Sequence, residues 1–156
     1  MKFMAEKILI FGATGAVGSS LAKQLQNNSI NIHLIGKNKD ELSKLSEETS
    51  ASFSVADVTD PNFIENIDKD LKDTNIAGIS YCVGSIDLKP INLVTKKDYL
   101  KSLELNFFPI VEIIKKYKDN LKKNKASIVL FSTVAVKQRV PNHSIISPVK
   151  ASLEGL

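Results

Sequence analysis

"FGATGAVGSS", residues 11–20, decides how the rest of the chain is read. It follows the apolar run "KILIF" at 7–11 and leads into "VGSSLAKQLQ", where Val17, Leu21 and Leu25 recur at helical spacing. Strand, tight turn and helix therefore succeed one another directly. Gly12, Gly15 and Gly18 each have a physical use in such a unit. One lets the chain turn sharply out of the strand, one lets the backbone approach a pyrophosphate, and one lets the helix pack close to the sheet with its N-terminus toward the phosphates. A plain tight turn is the simpler reading of any glycine-rich stretch, but the position between a strand and a helix favours a phosphate-binding one. No Gly-Lys-Ser/Thr follows, which excludes a P-loop.

The β–α pattern then repeats. "NIHLIG" at 31–36 precedes "KNKDELSKLSEE", whose Leu42 and Leu45 share a helix face, and "SFSVAD" at 52–57 reads as a third strand. Asp60 and Pro61 predict a helix start, with Asp60 as N-cap acceptor and Pro61 at the first helical position. "IAGISYCVG" at 76–84 has the near-continuous apolar character of a strand covered on both faces. Thr95 and Asp98 predict a capping box opening an amphipathic stretch to about Lys123, one long helix or two joined. Pro109 cannot donate to the carbonyl of Leu105, so a kink is expected between Asn106 and Pro109. "ASIVLFS" at 126–132 is a fifth strand, "TVAVKQRVPN" reads as a loop, and "HSIISPVKASLEGL" opens a last helix carrying Lys150. Strands alternating with helices over short connections imply an α/β fold, a doubly wound Rossmann-type parallel sheet of about five strands. Residues 1–156 are expected to form a single domain, or a piece of one.

Composition narrows the function. The chain has 156 residues, 43% of them hydrophobic and 24% charged, which suits a globular domain able to bury a core. No apolar run approaches the length of a membrane span, and the start runs into a strand without a cleavable apolar leader, so no membrane partner is expected. A single cysteine, Cys82, cannot form an internal disulfide; with the missing leader this reads as cytoplasmic. The net charge of +4 does not imply nucleic acid, because the lysines are dispersed and Arg139 is the only arginine. The run "KKYKDNLKKNK" at 115–125 falls where a helix ends, and cations there complement its partial negative charge.

The end of the second strand bears on the cofactor. A site preferring NAD presents an acidic residue to the ribose there. This chain has "IGKN", in which Gly36 leaves space and Lys37 is either an exposed lysine opening a helix or a cation for an added 2′-phosphate. We read Lys37, with Asn38 beside it, as favouring NADP(H), with NAD(H) as the lesser cofactor.

"GATGAVGSSLA", "ADVTD" at 56–60, "YCVG" at 81–84, Asn106 in "LELNFFP", "IVLFSTVAV" at 128–136 and "HSIISPVKASLEGL" together resemble, in order and spacing, a short-chain dehydrogenase/reductase. The resemblance covers essentially the whole chain. It implies cofactor contacts from the first turn (Gly12, Thr14, Gly15, Ala16, Val17, Gly18), from Lys37 and Asn38, from Asp57 and Val58 around the adenine, and from Val83, Gly84 and Lys150. Of the family's Asn-Asn-Ala-Gly after strand four, Tyr81, Cys82 and Val83 keep none and Gly84 is retained. The simpler but less favoured readings are a turn or cap residue for Asp57 and a polar residue serving the kink for Asn106. The family's reaction centre implies a carbonyl-holding hydroxyl at Thr133, with Ser132 beside it, Asn106 in a proton relay and Lys150 on the nicotinamide ribose. The general-acid tyrosine would stand four residues before Lys150, where this chain has Ile146.

The resemblance therefore implies hydride transfer between NADP(H) and a small carbonyl or alcohol substrate, in a chain that lacks the usual phenol. A catalytically silent NADP(H)-binding sensor or assembly module, or an inactive fragment, remains open on the same residues. Family members continue for further strands and a substrate loop, so the chain is expected to be a C-terminally shortened form, and association into a homodimer or homotetramer follows if its last helix is complete enough.

Overall fold

The computed structural model describes residues 6–72 and 74–156. Its strands are β1 (Glu6–Phe11), β2 (Ile32–Gly36), β3 (Ser52–Val55), β4 (Asn75–Tyr81) and β5 (Ser127–Leu130). They form one sheet in the order β3-β2-β1-β4-β5, and every pairing is parallel. The helices are α1 (Ala16–Asn27), α2 (Lys39–Thr49), α3 (Phe63–Asp68), α4 (Lys96–Asn106), α5 (Phe108–Lys123) and α6 (Ile146–Glu154). This is the doubly wound architecture that the alternation predicts.

The two faces follow from the strand period of two. Ile10, Leu34 and the α2 residues Leu42 and Leu45 pack with Ala22 of α1 on one side. Leu9, Phe11, Ile35 and Ile79 pack with Ile110, Ile113, Tyr117 and Leu121 of α5 on the other. The central strands β1 and β2 are nearly continuously apolar because both faces are covered. At the other end of the sheet, β5 pairs with β4, and Ile128 and Val129 are 37% and 50% exposed.

Two expectations hold in detail and two change. The region from Thr95 to Lys123 is two helices, broken at Phe107, because Pro109 cannot continue the hydrogen-bond ladder. The capping box at its start is present, with Thr95 accepting from the Asp98 amide and the Asp98 carboxylate accepting from the Thr95 amide. The expected helix at Pro61 begins instead at Phe63: the Asp60 carboxylate accepts from the Asn62 amide at 2.8 Å, a local turn that competes with capping. The stretch after β5 contains a short 3₁₀ turn, Val134–Val136, capped by Thr133.

Candidate active site

The first turn is built by backbone proximity. Gly12 has φ +71°, a left-handed conformation, and a Cβ there would lie 3.0 Å from the Cys82 and Val83 backbone. A Cβ on Gly18 would stand 2.3 Å from the Gly12 carbonyl oxygen, so α1 meets β1 at glycine distance. The Ala13 amide donates to the Ile35 carbonyl at 3.0 Å, tying the turn to the end of β2. Helix α1 has no side-chain cap and no acidic residue in its first turn, which leaves its N-terminal amides suited to an anion. Over this turn lies a cleft of about 300 Å³ at the C-terminal ends of β1, β2 and β4, where an open α/β sheet binds its ligand.

Gly12, Thr14 and Gly15 form one wall of that cleft; Ala16, Val17 and Gly18, in α1, do not line it. Gly36 and Lys37 line it from β2, and Asp57 and Val58 from the turn after β3. Asn38 does not line the cleft. Its side chain accepts from the Asp40 and Glu41 amides and caps α2. Asp57 accepts from the Thr59 amide at 3.0 Å and from the Thr59 hydroxyl at 2.7 Å. Those bonds, helped by the charge of Lys37, hold its carboxyl below the usual carboxylate range.

The other end of the cleft is formed by Val83, Gly84 and Leu105. Here two distant residues converge. A Cβ on Gly84 would lie 2.9 Å from Asn106 Oδ1 and 3.4 Å from Lys150 Nζ, so both groups face the same point. Asn106 is fully buried; its Nδ2 donates to the Ser102 carbonyl at 3.0 Å, while Oδ1 is buried without a partner. Lys150 is only 8% exposed, and burial lowers its pKa. The helix delivers it there because Ile146, Val149 and Leu153 bury the same stripe of α6.

Ile146, one turn before Lys150, is 1% exposed and belongs to that packed stripe. Ser147 donates to the Ala135 carbonyl at 2.7 Å, which fastens α6 to the 3₁₀ turn that Thr133 caps. Thr133 Oγ1 accepts from the Ala135 amide at 3.3 Å. Ser132 is turned elsewhere, donating to Glu154 at 2.5 Å from an exposed position. Ser85 and Leu105 line the cleft although no motif in the sequence marks them, and Cys82, which the sequence marks as an unpaired thiol and a departure from the family pattern, lines it as well.

A family model described as enoyl-(acyl carrier protein) reductase matches residues 12–156. The chain belongs to the short-chain dehydrogenase/reductase family. Several solved structures superpose closely on it. Serine dehydrogenase from Escherichia coli matches with a TM-score of 0.86 at 16% identity, over 96% of this chain and 72% of its own. A short-chain dehydrogenase/reductase from Saccharomyces cerevisiae gives 0.88 at 20%, over 96% and 62%. One from Mycobacterium ulcerans gives 0.86 at 16%, over 99% and 61%. At these identities the likeness is one of fold. The chain spans about two thirds of the length of these relatives. As a short-chain dehydrogenase/reductase it has the nicotinamide-binding frame of an oxidoreductase family.

Proposed function

We propose that the cleft binds NADP(H) in preference to NAD(H), and that the chain is an oxidoreductase moving a hydride between this cofactor and a small carbonyl or alcohol substrate. The observation that carries the reading is the convergence of the buried Lys150 ammonium and the unpartnered Asn106 Oδ1 on Gly84. A desolvated cation and an acceptor without a donor are both satisfied by a hydroxyl, which accepts from one and donates to the other. A ribose hydroxyl, or a water bound beside one, is such a group. The nicotinamide supplies the hydride when bound; this chain supplies position and charge.

In this reading the turn at Gly12, Thr14 and Gly15 and the first turn of α1 (Ala16, Val17, Gly18) hold the pyrophosphate. Lys37 meets the 2′-phosphate, Asp57 and Val58 flank the adenine, and Val83 and Gly84 form the floor toward the nicotinamide. Thr133 holds the substrate oxygen, because the Ser132 hydroxyl is already directed to Glu154. Ile146 carries no proton to transfer, so protonation of that oxygen falls to water or another group admitted to the site. Lys150→Ala is expected to weaken NADPH binding; an unchanged affinity removes Lys150 from the site.

A second reading, a catalytically silent NADP(H)-binding sensor or assembly module, is favoured by one observation, the burial of Ile146 where the family's phenol would stand. NADPH oxidation measured across a panel of carbonyl compounds separates the two, and sustained turnover sinks the silent reading. No helix among the described residues is long and apolar enough to cross a membrane. We place the protein in the cytoplasm, on its single cysteine, and expect a homodimer or homotetramer on the pattern of the family.

A further inference from the structure

The wall that brings Asn106 to Gly84 contains a break in its hydrogen bonding. In an uninterrupted helix the carbonyl of Leu105 would accept from the amide of residue 109. Residue 109 is proline and has no N–H. Helix α4 ends at Asn106, Phe107 leaves helical geometry at φ −125° and ψ −57°, and α5 begins at Phe108. The carbonyl is nevertheless satisfied: the Tyr81 hydroxyl donates to it at 2.8 Å. Tyr81 is the last residue of β4, 1% exposed, with its ring packed against Phe11 at 6.0 Å between centroids.

We propose that Tyr81 is a positioning residue for the cofactor end of the cleft, its hydroxyl standing in for the amide that Pro109 lacks and holding the Leu105–Asn106 peptide against the end of β4. The link to the site is covalent geometry. The Leu105 carbonyl and the Asn106 nitrogen belong to one planar peptide unit. A carbonyl left without a donor turns toward water, and that rotation carries the Asn106 backbone with it. Leu105 lines the cleft, and Asn106 Oδ1 faces Gly84, three residues beyond Tyr81. The Tyr81 hydroxyl therefore ties the end of β4 to the helix break whose next residue, Asn106, faces Gly84. Tyr81 stands where the resemblance would put an asparagine, so the residue departs from the family pattern at the position that the proline break needs filled.

The functional arm of this inference rests on the NADP(H) reading; the structural arm does not. The experiment compares the parent with Tyr81→Phe, Pro109→Ala and the double variant, by NADPH titration and, without cofactor, by the Asn106 side-chain amide resonances. Tyr81→Phe is expected to raise the NADPH dissociation constant roughly fivefold and to shift or broaden the Asn106 resonances. In the Pro109→Ala background an amide is available to the Leu105 carbonyl, so adding Tyr81→Phe should change neither readout appreciably. Equal effects of Tyr81→Phe in both backgrounds, or Asn106 resonances that do not respond to it, overturn the proposal. If Tyr81→Phe alone does not fold, the double variant should; a double variant that also fails to fold overturns it as well. A parent that binds no NADPH contradicts the proposed function, and the resonances alone then decide the role of Tyr81.

Discussion

Lowering the pH from 7.5 to 5 should destabilise the folded chain by about 2 kcal/mol through one residue, His33. His33 lies on β2, fully buried, opposite Ser52 on β3. Its Nδ1 is 2.8 Å from the Ser52 hydroxyl and its Nε2 is 2.8 Å from the Ser54 hydroxyl. Ser54 donates its hydrogen to Asp70 at 2.6 Å, so it accepts from the ring, and Nε2 carries the proton. Lys7 donates to Ser52 at 2.8 Å, and the Ser52 hydrogen is then free for Nδ1. Every hydrogen in the chain from Lys7 to Asp70 is assigned with a neutral imidazole. A second ring proton, on Nδ1, would take from the Ser52 hydrogen its acceptor and add a buried cation near Lys7.

Burial above all, then the charge of Lys7, lowers the His33 pKa from 6.5 to about 4, against a smaller opposing effect of Asp70. Between these values the unfolded chain binds more protons than the folded one, so stability rises with pH in that window. The contribution is complete above pH 6.5 and is lost as the pH falls toward 4, about 3 kcal/mol in all. Asp98, held at about 2 by Lys89 and then by Thr95, stays ionised throughout the window. Urea unfolding at pH 7.5, 6 and 5 of the parent and of His33→Gln measures the effect, which corresponds to roughly 4–8 °C in melting temperature. The variant should be less stable at pH 7.5 but flatter across the series. An equal loss of stability in both proteins would refute the assignment.

Three further outcomes follow from named contacts. Gly18→Ala places a methyl group 2.3 Å from the Gly12 oxygen, and should cost about 2–4 kcal/mol in chemical unfolding while disturbing the phosphate turn. Thr95→Ala removes the hydroxyl half of the capping box of α4; thermal unfolding should register a loss of about 1 kcal/mol. Lys37→Asp exchanges the cation at the end of β2 for the acidic residue that an NAD site presents there, and titration with both cofactors should show the preference shifting toward NADH by at least about tenfold.

The architecture was legible because its signals are local. A glycine turn between an apolar run and a helical period, repeated β–α spacing, the Thr95–Asp98 box and the proline at 109 each act within a few residues, and the structure keeps all of them. Asp60 and Pro61 do not open α3, because Asp60 bonds the amide of Asn62 and the helix begins at Phe63. The place of Asn38 beside Lys37 suggests the cofactor, but its side chain caps α2. Pro109 announced a carbonyl without a donor, but nothing near it in sequence pointed to Tyr81, which is 24 residues from Leu105. His33 sat inside an apolar run with its serine partners 19 and 21 residues away, and only the strand register brings them together. The meeting of Asn106 and Lys150 at Gly84 likewise depends on three separate elements.

The most direct test of the account is a titration of the purified chain with NADPH and, separately, NADH, followed by the cofactor's own emission, which no tryptophan in this protein confuses. Saturable binding with NADPH the tighter ligand is the result the cleft predicts. Binding of neither cofactor would contradict the proposed site itself, and equal or tighter binding of NADH would contradict the role given to Lys37.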